Sequence, residues 1–232
     1  YAEQTPAQEA AARYLERSIG IFSGRVFVCG HSKGGNLAIY AGSRQNSLRQ
    51  NKIVKIINFD GPGFDFSIVG RSSFSECENK ITNYIPEESI VGMLLEPVGK
   101  RVVVASSSRL INQHNALSWG VNRTKFIKGK LSSSAKLLEL TLHTWLKEIS
   151  VSDREQFLEA FFEILGASEG AAIKLDPQEN LLEIRKLLLK YYKLDSKTKA
   201  LLTQVFLSLT SQSRKTLATT LREKLPKKNW LP

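Results

Sequence analysis

Apolar residues are spaced in two ways along the chain. Up to about Lys130, short runs of strand length alternate with helical stripes; after it only helical stripes remain. Ala10, Ala11, Tyr14, Leu15 and Ile19 recur at helical spacing behind Thr5-Pro6-Ala7-Gln8, a capping-box pattern with proline at the first helical position. This predicts a helix that packs on a sheet, with Gly20 and Gly24 bracketing its end. Val26-Phe27-Val28-Cys29 reads as a buried strand. Asn36, Leu37, Ala38, Tyr40 and Ala41 then predict a helix that frays over residues 43–51. The nearly continuous run Ile53-Val54-Lys55-Ile56-Ile57-Asn58-Phe59 suits a buried parallel strand.

Residues 65–79 read as a loop or short helix. Ile81 to Ile85 predicts a further strand, ended by Pro86. Ile90 to Leu95 and Arg101 to Ala105 predict two more, joined by a turn over residues 96–100, and a loop follows from Asn112 to Trp119. Helix and strand alternating in this order imply right-handed crossovers and a mostly parallel α/β sheet flanked by helices, with ligands outside its carboxyl edge. Amphipathic helices are predicted at roughly 132–149, 153–166, 178–193, 195–210 and 212–224. Residues 1–130 are thus expected to form a partial α/β domain and residues 131–232 a helical extension. Leucine stripes such as Leu181, Leu182, Leu187 and Leu188 fit a helical core better than a cofactor site.

At the first strand-to-helix junction the sequence is Gly30-His31-Ser32-Lys33-Gly34. A bare Gly-x-Ser-x-Gly recurs by chance in roughly one chain in ten of this length. Here it lies between a predicted strand and a predicted helix, where a sharp turn lifts a serine hydroxyl clear of the sheet edge. The two glycines leave room for that turn. The opening helix would aim free backbone N–H groups at the serine, and the N–H of Lys33 is the expected oxyanion donor.

Such a serine needs a base. His31 is expected to point away from Ser32, as a packed or hydrogen-bonded neighbour, and His143 falls on a helix of the extension. His114 lies in the loop after the last predicted strand and gives the order serine, acid, histidine. For the acid, Asp60 ends the strand after the serine, and Glu87 and Glu88 follow the strand after that; on residue types alone the choice stays open.

The segments Gly30–Ala38, Asn58–Phe64 and Ser89–Leu95, followed by Gln113-His114 with Trp119, together resemble a bacterial α/β-hydrolase family of unassigned function related to class 3 lipases. The resemblance covers about residues 1–130 and is expected to extend into the helical tail. It implies a serine hydrolase of carboxylic esters, acyl lipids above all, working through an acyl-serine with no cofactor or metal. By the same match, Ser89 stands where such lipases carry their aspartate, and Asp60 replaces a glycine. The acid is therefore expected at Asp60, with Glu88 second. Such folds have strands ahead of the serine, one of which supplies a second oxyanion donor. Only a helix precedes it here, so this stretch alone is expected to be catalytically incomplete. The competing expectation is a non-catalytic scaffold on the same fold.

The net charge of +11 adds a partner class. From Asp195 to Pro232 there are eight Lys and Arg against two acids, so an anionic membrane surface is expected to meet this tail. Nucleic acid is not expected, since no stacking-aromatic or recognition motif accompanies the charge. No apolar run approaches the ~20 residues of a membrane span, and the first residues do not read as a signal peptide. Met93 is the only methionine, so Tyr1 is read as the product of processing or of a cut from a longer chain. Two cysteines suggest no disulfide framework, Cys29 reads as a small core residue, and a cytoplasmic location is expected, with peripheral membrane association.

Overall fold

The computed structural model describes residues 5–20 and 22–148, together with residues 158, 196 and 199. The chain divides into two compact units, Tyr1–Glu148 and Ile149–Pro232. The helices expected at 153–166, 178–193, 195–210 and 212–224, and the basic tail, lie outside the described residues apart from those isolated positions.

Helix α1 (Pro6–Ser18) opens with the predicted capping box. The Gln8 N–H donates to Thr5 Oγ1 and the Thr5 N–H to Gln8 Oε1, which satisfies two of the end groups a helix leaves open. Strand β1 (Val26–His31) leads into α2 (Lys33–Ser43). After the short α3 (Ser47–Gln50) come β2 (Ile53–Phe59), α4 (Phe66–Val69), β3 (Ile81–Pro86) and β4 (Lys100–Val104). The four strands form one parallel sheet in the order β1-β2-β3-β4. A two-residue hairpin, β5 (Val121–Asn122) and β6 (Lys125–Phe126), and helix α5 (Ser133–Glu148) complete the first unit.

The strand register assigns every side chain to one of two faces. Val28, Ile56 and Ile81 share the inner face. They are packed with Leu15 and Ile19 of α1, Ile39 and Tyr40 of α2, and Phe74 and Cys77 of the β2–β3 connection. Farther along this face Ile85 and Val103 meet Met93 and Ala135 of α5, and Arg101 pairs with Glu139 at 2.6 Å. Phe27, Cys29 and His31 share the outer face with Ile57, Phe59 and Tyr84. Over this face the ribbon 104–128 lays Trp119 and Phe126 against Phe59 and Tyr84, with ring centroids 5.1–6.2 Å apart.

Two expectations are corrected. Residues 90–95 are not a strand: Val91–Met93 is a single 3₁₀ turn. Val91, Met93 and Leu94 are buried on all sides beneath their neighbours, which accounts for the apolar run without a sheet. Cys29 is exposed and is not a core residue. β1 is an edge strand of this sheet that alternates between a packed and an open face, and the cysteine falls on the open one. Among the described residues, no helix is long and apolar enough to cross a membrane.

Candidate active site

Ser32 is the first residue past β1 and occupies the N-cap position of α2, with φ 56° and ψ −131°. Side-chain-bearing residues seldom adopt such a backbone, and it persists only where the surroundings over-determine it. Here they do. The Ser32 N–H donates to the Phe59 carbonyl at 2.9 Å, its carbonyl accepts from the Gly35 N–H at 2.9 Å, and α2 starts so close to β1 that a Cβ on Gly30 would lie 2.0 Å from the Gly34 carbonyl oxygen. Glycine at position 30 is a requirement of that approach. The Lys33 N–H opens the helix beside the serine, at the positive end of its dipole.

Asp60 is the first residue past β2, on the same edge of the sheet, and has φ 50°. Its N–H is tied to the Tyr84 carbonyl at 2.8 Å. The carboxylate is buried and each oxygen has its own partners. Oδ1 accepts from Ser89 Oγ at 2.5 Å and from the Gly92 N–H at 3.2 Å, while Oδ2 lies 2.7 Å from His114 Nδ1. A carboxylate is an acceptor only, so Nδ1 carries the proton it shares with Asp60, and Nε2 becomes the basic nitrogen of a neutral ring.

His114 ends a 3₁₀ turn, Leu110–His114, in the ribbon that returns over the sheet from β4. It is 5% exposed and Ser32 is 8% exposed, so both can be screened from bulk water while staying on the rim. Three contacts hold this turn. The Gln113 amide bridges it to the end of β3 through the Glu88 N–H (3.0 Å) and Glu88 Oε2 (3.1 Å). Trp119 Nε1 donates to the Gln113 carbonyl at 2.7 Å. His31, the residue before the serine, donates from Nε2 to the His114 carbonyl at 2.7 Å and sets its ring 4.6 Å from the His114 imidazole.

The structure therefore brings Asp60 and His114 into direct contact, with Ser32 on the adjoining strand end. Glu88 engages the neighbour of the histidine, Gln113. Glu87 accepts from the Lys130 N–H at 3.1 Å and fixes the segment leading into α5. His143 lies on α5, bonded to the Leu95 carbonyl at 3.1 Å.

A buried amide chain lies beneath the Asp60 corner. Asn58 accepts the Gly61 N–H at 2.8 Å and donates to the Gly61 carbonyl at 3.0 Å and to Asn83 Oδ1 at 2.9 Å. Asn83 continues the chain to the Val98 carbonyl at 2.6 Å. Asn36 of α2 holds the Gly63 carbonyl at 2.9 Å and accepts from Gln8 of α1 at 2.9 Å. Sequence reasoning assigned no role to Ser89 as a partner of the acid, to Gly92, to Gln113 or to this amide chain. The one usable signal was position: Ser89 stood where an acid was expected, and it touches Asp60.

No curated protein matches the chain significantly. The sequence model of the Mbeg1-like family, a lipase-like family of unassigned function, matches residues 1–163, and the chain belongs to that family.

Proposed function

We propose that this chain carries the catalytic residues of a serine hydrolase that cleaves carboxylic esters, acyl lipids in particular, on an α/β-hydrolase-type sheet. The observation that carries the reading is the buried Asp60–His114 hydrogen bond at 2.7 Å, on the same sheet edge as a serine held at φ 56° between strand and helix. A carboxylate that fixes the imidazole tautomer, beside a serine in a strained turn, is the arrangement nucleophilic acyl transfer requires.

In this reading Ser32 Oγ attacks the ester carbonyl carbon as His114 Nε2 takes the hydroxyl proton. The oxyanion of the tetrahedral adduct is met by the Lys33 N–H. The C–O bond to the alcohol breaks as His114 returns the proton to the leaving oxygen, which leaves an acyl-Ser32. Water then attacks the acyl carbon, gives its proton to His114, and the carboxylic acid departs as Ser32 recovers its hydrogen. Asp60 stays ionised throughout and stabilises the imidazolium that forms twice per cycle. An alcohol in place of water would make the same residues an acyltransferase, and product analysis with an added alcohol separates the two.

A fluorophosphonate probe is expected to label the full-length protein at Ser32, and Ser32→Ala to abolish the labelling. Labelling that is absent from the full-length wild-type protein, or unchanged in the variant, would leave a hydrolase-like scaffold without hydrolysis.

A further inference from the structure

From Pro97 to Leu138 the sequence contains no aspartate or glutamate, and this stretch includes the whole ribbon that carries His114. Arg109, Arg123, Lys125, Lys128 and Lys130 are all exposed on it. The ion pairs among the described residues engage Arg13, Arg49, Arg71, Arg101 and His114, so among the described residues none of these five exposed cations is paired with a carboxylate.

The same ribbon exposes aliphatic side chains. Leu117 is 93% exposed and Val121 57%, with Ile127 and Ile111 also open. Leu117 is three residues from His114. The ribbon's aromatic residues do the opposite: Trp119 is buried and Phe126 is packed with Phe59 and Tyr84.

The ribbon is not a loose loop. The Gly120 N–H donates to the Ala105 carbonyl at 2.8 Å, the Ile127 N–H to the Gly120 carbonyl at 2.8 Å, and Ser106 and Ser118 share a hydroxyl contact at 2.8 Å. It is a pinned platform with aromatics turned toward the sheet and cations and aliphatics turned toward water.

We propose that this platform docks on an anionic phospholipid surface and so presents the His114 rim to the bilayer. Two features favour a bilayer over nucleic acid. Aliphatic residues interleaved with cations suit the boundary between headgroups and acyl chains. A single-stranded nucleic acid would be met by exposed aromatics for stacking, and on this ribbon the aromatics face the sheet. The expectation from sequence put the anionic contact in the tail after Asp195; this proposal rests on residues 109–130 instead. Docking requires no turnover, so it is independent of the hydrolase reading, and a lipid-ester substrate would give it its purpose.

The test is co-sedimentation of the full chain, carrying Ser32→Ala, with vesicles of phosphatidylcholine alone or mixed with phosphatidylserine. Binding is expected only to the mixed vesicles and is expected to weaken as salt rises. The triple variant Arg123→Asn/Lys125→Gln/Lys128→Gln removes three exposed charges. Asn is chosen because position 123 has φ 56°, which asparagine tolerates. The triple variant is expected to bind about tenfold or more weakly. Leu117→Ser/Val121→Ser is expected to lose several-fold affinity with its salt dependence unchanged.

Several results would overturn the proposal. They are equal binding to both vesicles, indifference to either variant, loss of binding only on neutralising the Lys and Arg after Asp195, or capture of a single-stranded RNA in place of vesicles. Docking by a chain that takes no fluorophosphonate would sink the hydrolase reading alone. Labelling at Ser32 without docking would sink this one alone.

Discussion

The two faces of the sheet are built from the same alternation of side chains, yet they are finished differently. The inner face is closed by α1, α2 and α5, and even its polar residues, Asn58 and Asn83, are buried and bonded to each other. Among the described residues the outer face is covered by a ribbon, and it leaves Phe27 61% exposed and Cys29 open. The candidate site draws one residue from each. Asp60 is rooted through Asn58 in the inner face, whereas His114 is delivered by the ribbon and clamped by Gln113, Trp119 and His31. Position is thus secured by burial on one side and by a few polar contacts on the other. Changes on the inner side should cost stability first. Changes on the outer side should cost activity with the fold intact.

The largest effect is expected where the two sides join. In Asp60→Asn the amide oxygen takes the place of Oδ1, where Ser89 Oγ and the Gly92 N–H both donate, and the amide N–H₂ faces His114. Nδ1 then has to accept, the ring proton moves to Nε2, and the base is lost. On the hydrolase reading, kcat on a chromogenic ester should fall on the order of 10³- to 10⁴-fold. Glu88→Gln should leave kcat nearly unchanged, because that side chain serves Gln113. The reverse ranking of these variants would move the acid to Glu88.

Asn58→Ala breaks the inner side alone. It removes the acceptor of the Gly61 N–H, the donor to the Gly61 carbonyl and the donor to Asn83, all in a buried setting. Groups left unsatisfied in such a place each cost about 1–3 kcal/mol and do not add fully, so urea unfolding should report a loss of about 3 kcal/mol. Activity should fall as well, since the Asp60 corner rests on this chain. A variant with full stability would show that the amides are ornamental and that helix packing alone sets the corner.

How far the sequence could be read follows the same division. The junction at Ser32 was legible because its demands are local, a strand and a helix meeting at Gly30 within fifteen residues; the room expected of Gly34 is not needed, since a Cβ there would meet nothing within 4 Å. β2 was legible because a central parallel strand is apolar almost throughout, and β3 because its β-branched and aromatic residues end at Pro86. The run from Ile90 to Leu95 looked like one more strand, yet its apolar character comes from being enclosed, with the Gly92 backbone turned to Asp60. Partners distant in sequence, such as Gln8 with Asn36 or Asn58 with Asn83, leave no periodic trace, so the amide chain could not be anticipated. Cys29 was misplaced because one strand's pattern does not say which of its faces receives helices.

On the outer side a smaller and separable effect is expected at His31. His31→Phe keeps a ring beside the imidazole but removes the donor to the His114 carbonyl, whereas His31→Gln can keep a donor and loses the ring. One hydrogen bond of about 1 kcal/mol corresponds to roughly fivefold, so kcat should drop by about that factor in His31→Phe with KM and melting temperature little changed. His31→Gln should recover most of it. Equal losses in both, or a loss that follows the melting temperature, would mean that His31 only packs.

The smallest effect leaves activity untouched and reads the two faces directly through their thiols. Cys29 on the outer face should react with a maleimide at neutral pH, while Cys77 in the inner core should react only on unfolding. Burial pushes the Cys77 thiol from 9.0 up to about 11, against the opposing pull of Lys80. The folded chain then holds this proton at a pH where the unfolded chain has released it. The group's contribution to stability is full below about pH 9 and is lost as pH climbs toward 11, so Cys77→Ala should flatten the alkaline decline in stability while lowering stability at neutral pH through the cavity it leaves. Equal labelling of both cysteines in the native state would mean that the inner face opens as readily as the outer one, and the contrast between the settings of Asp60 and His114 would lose its structural basis.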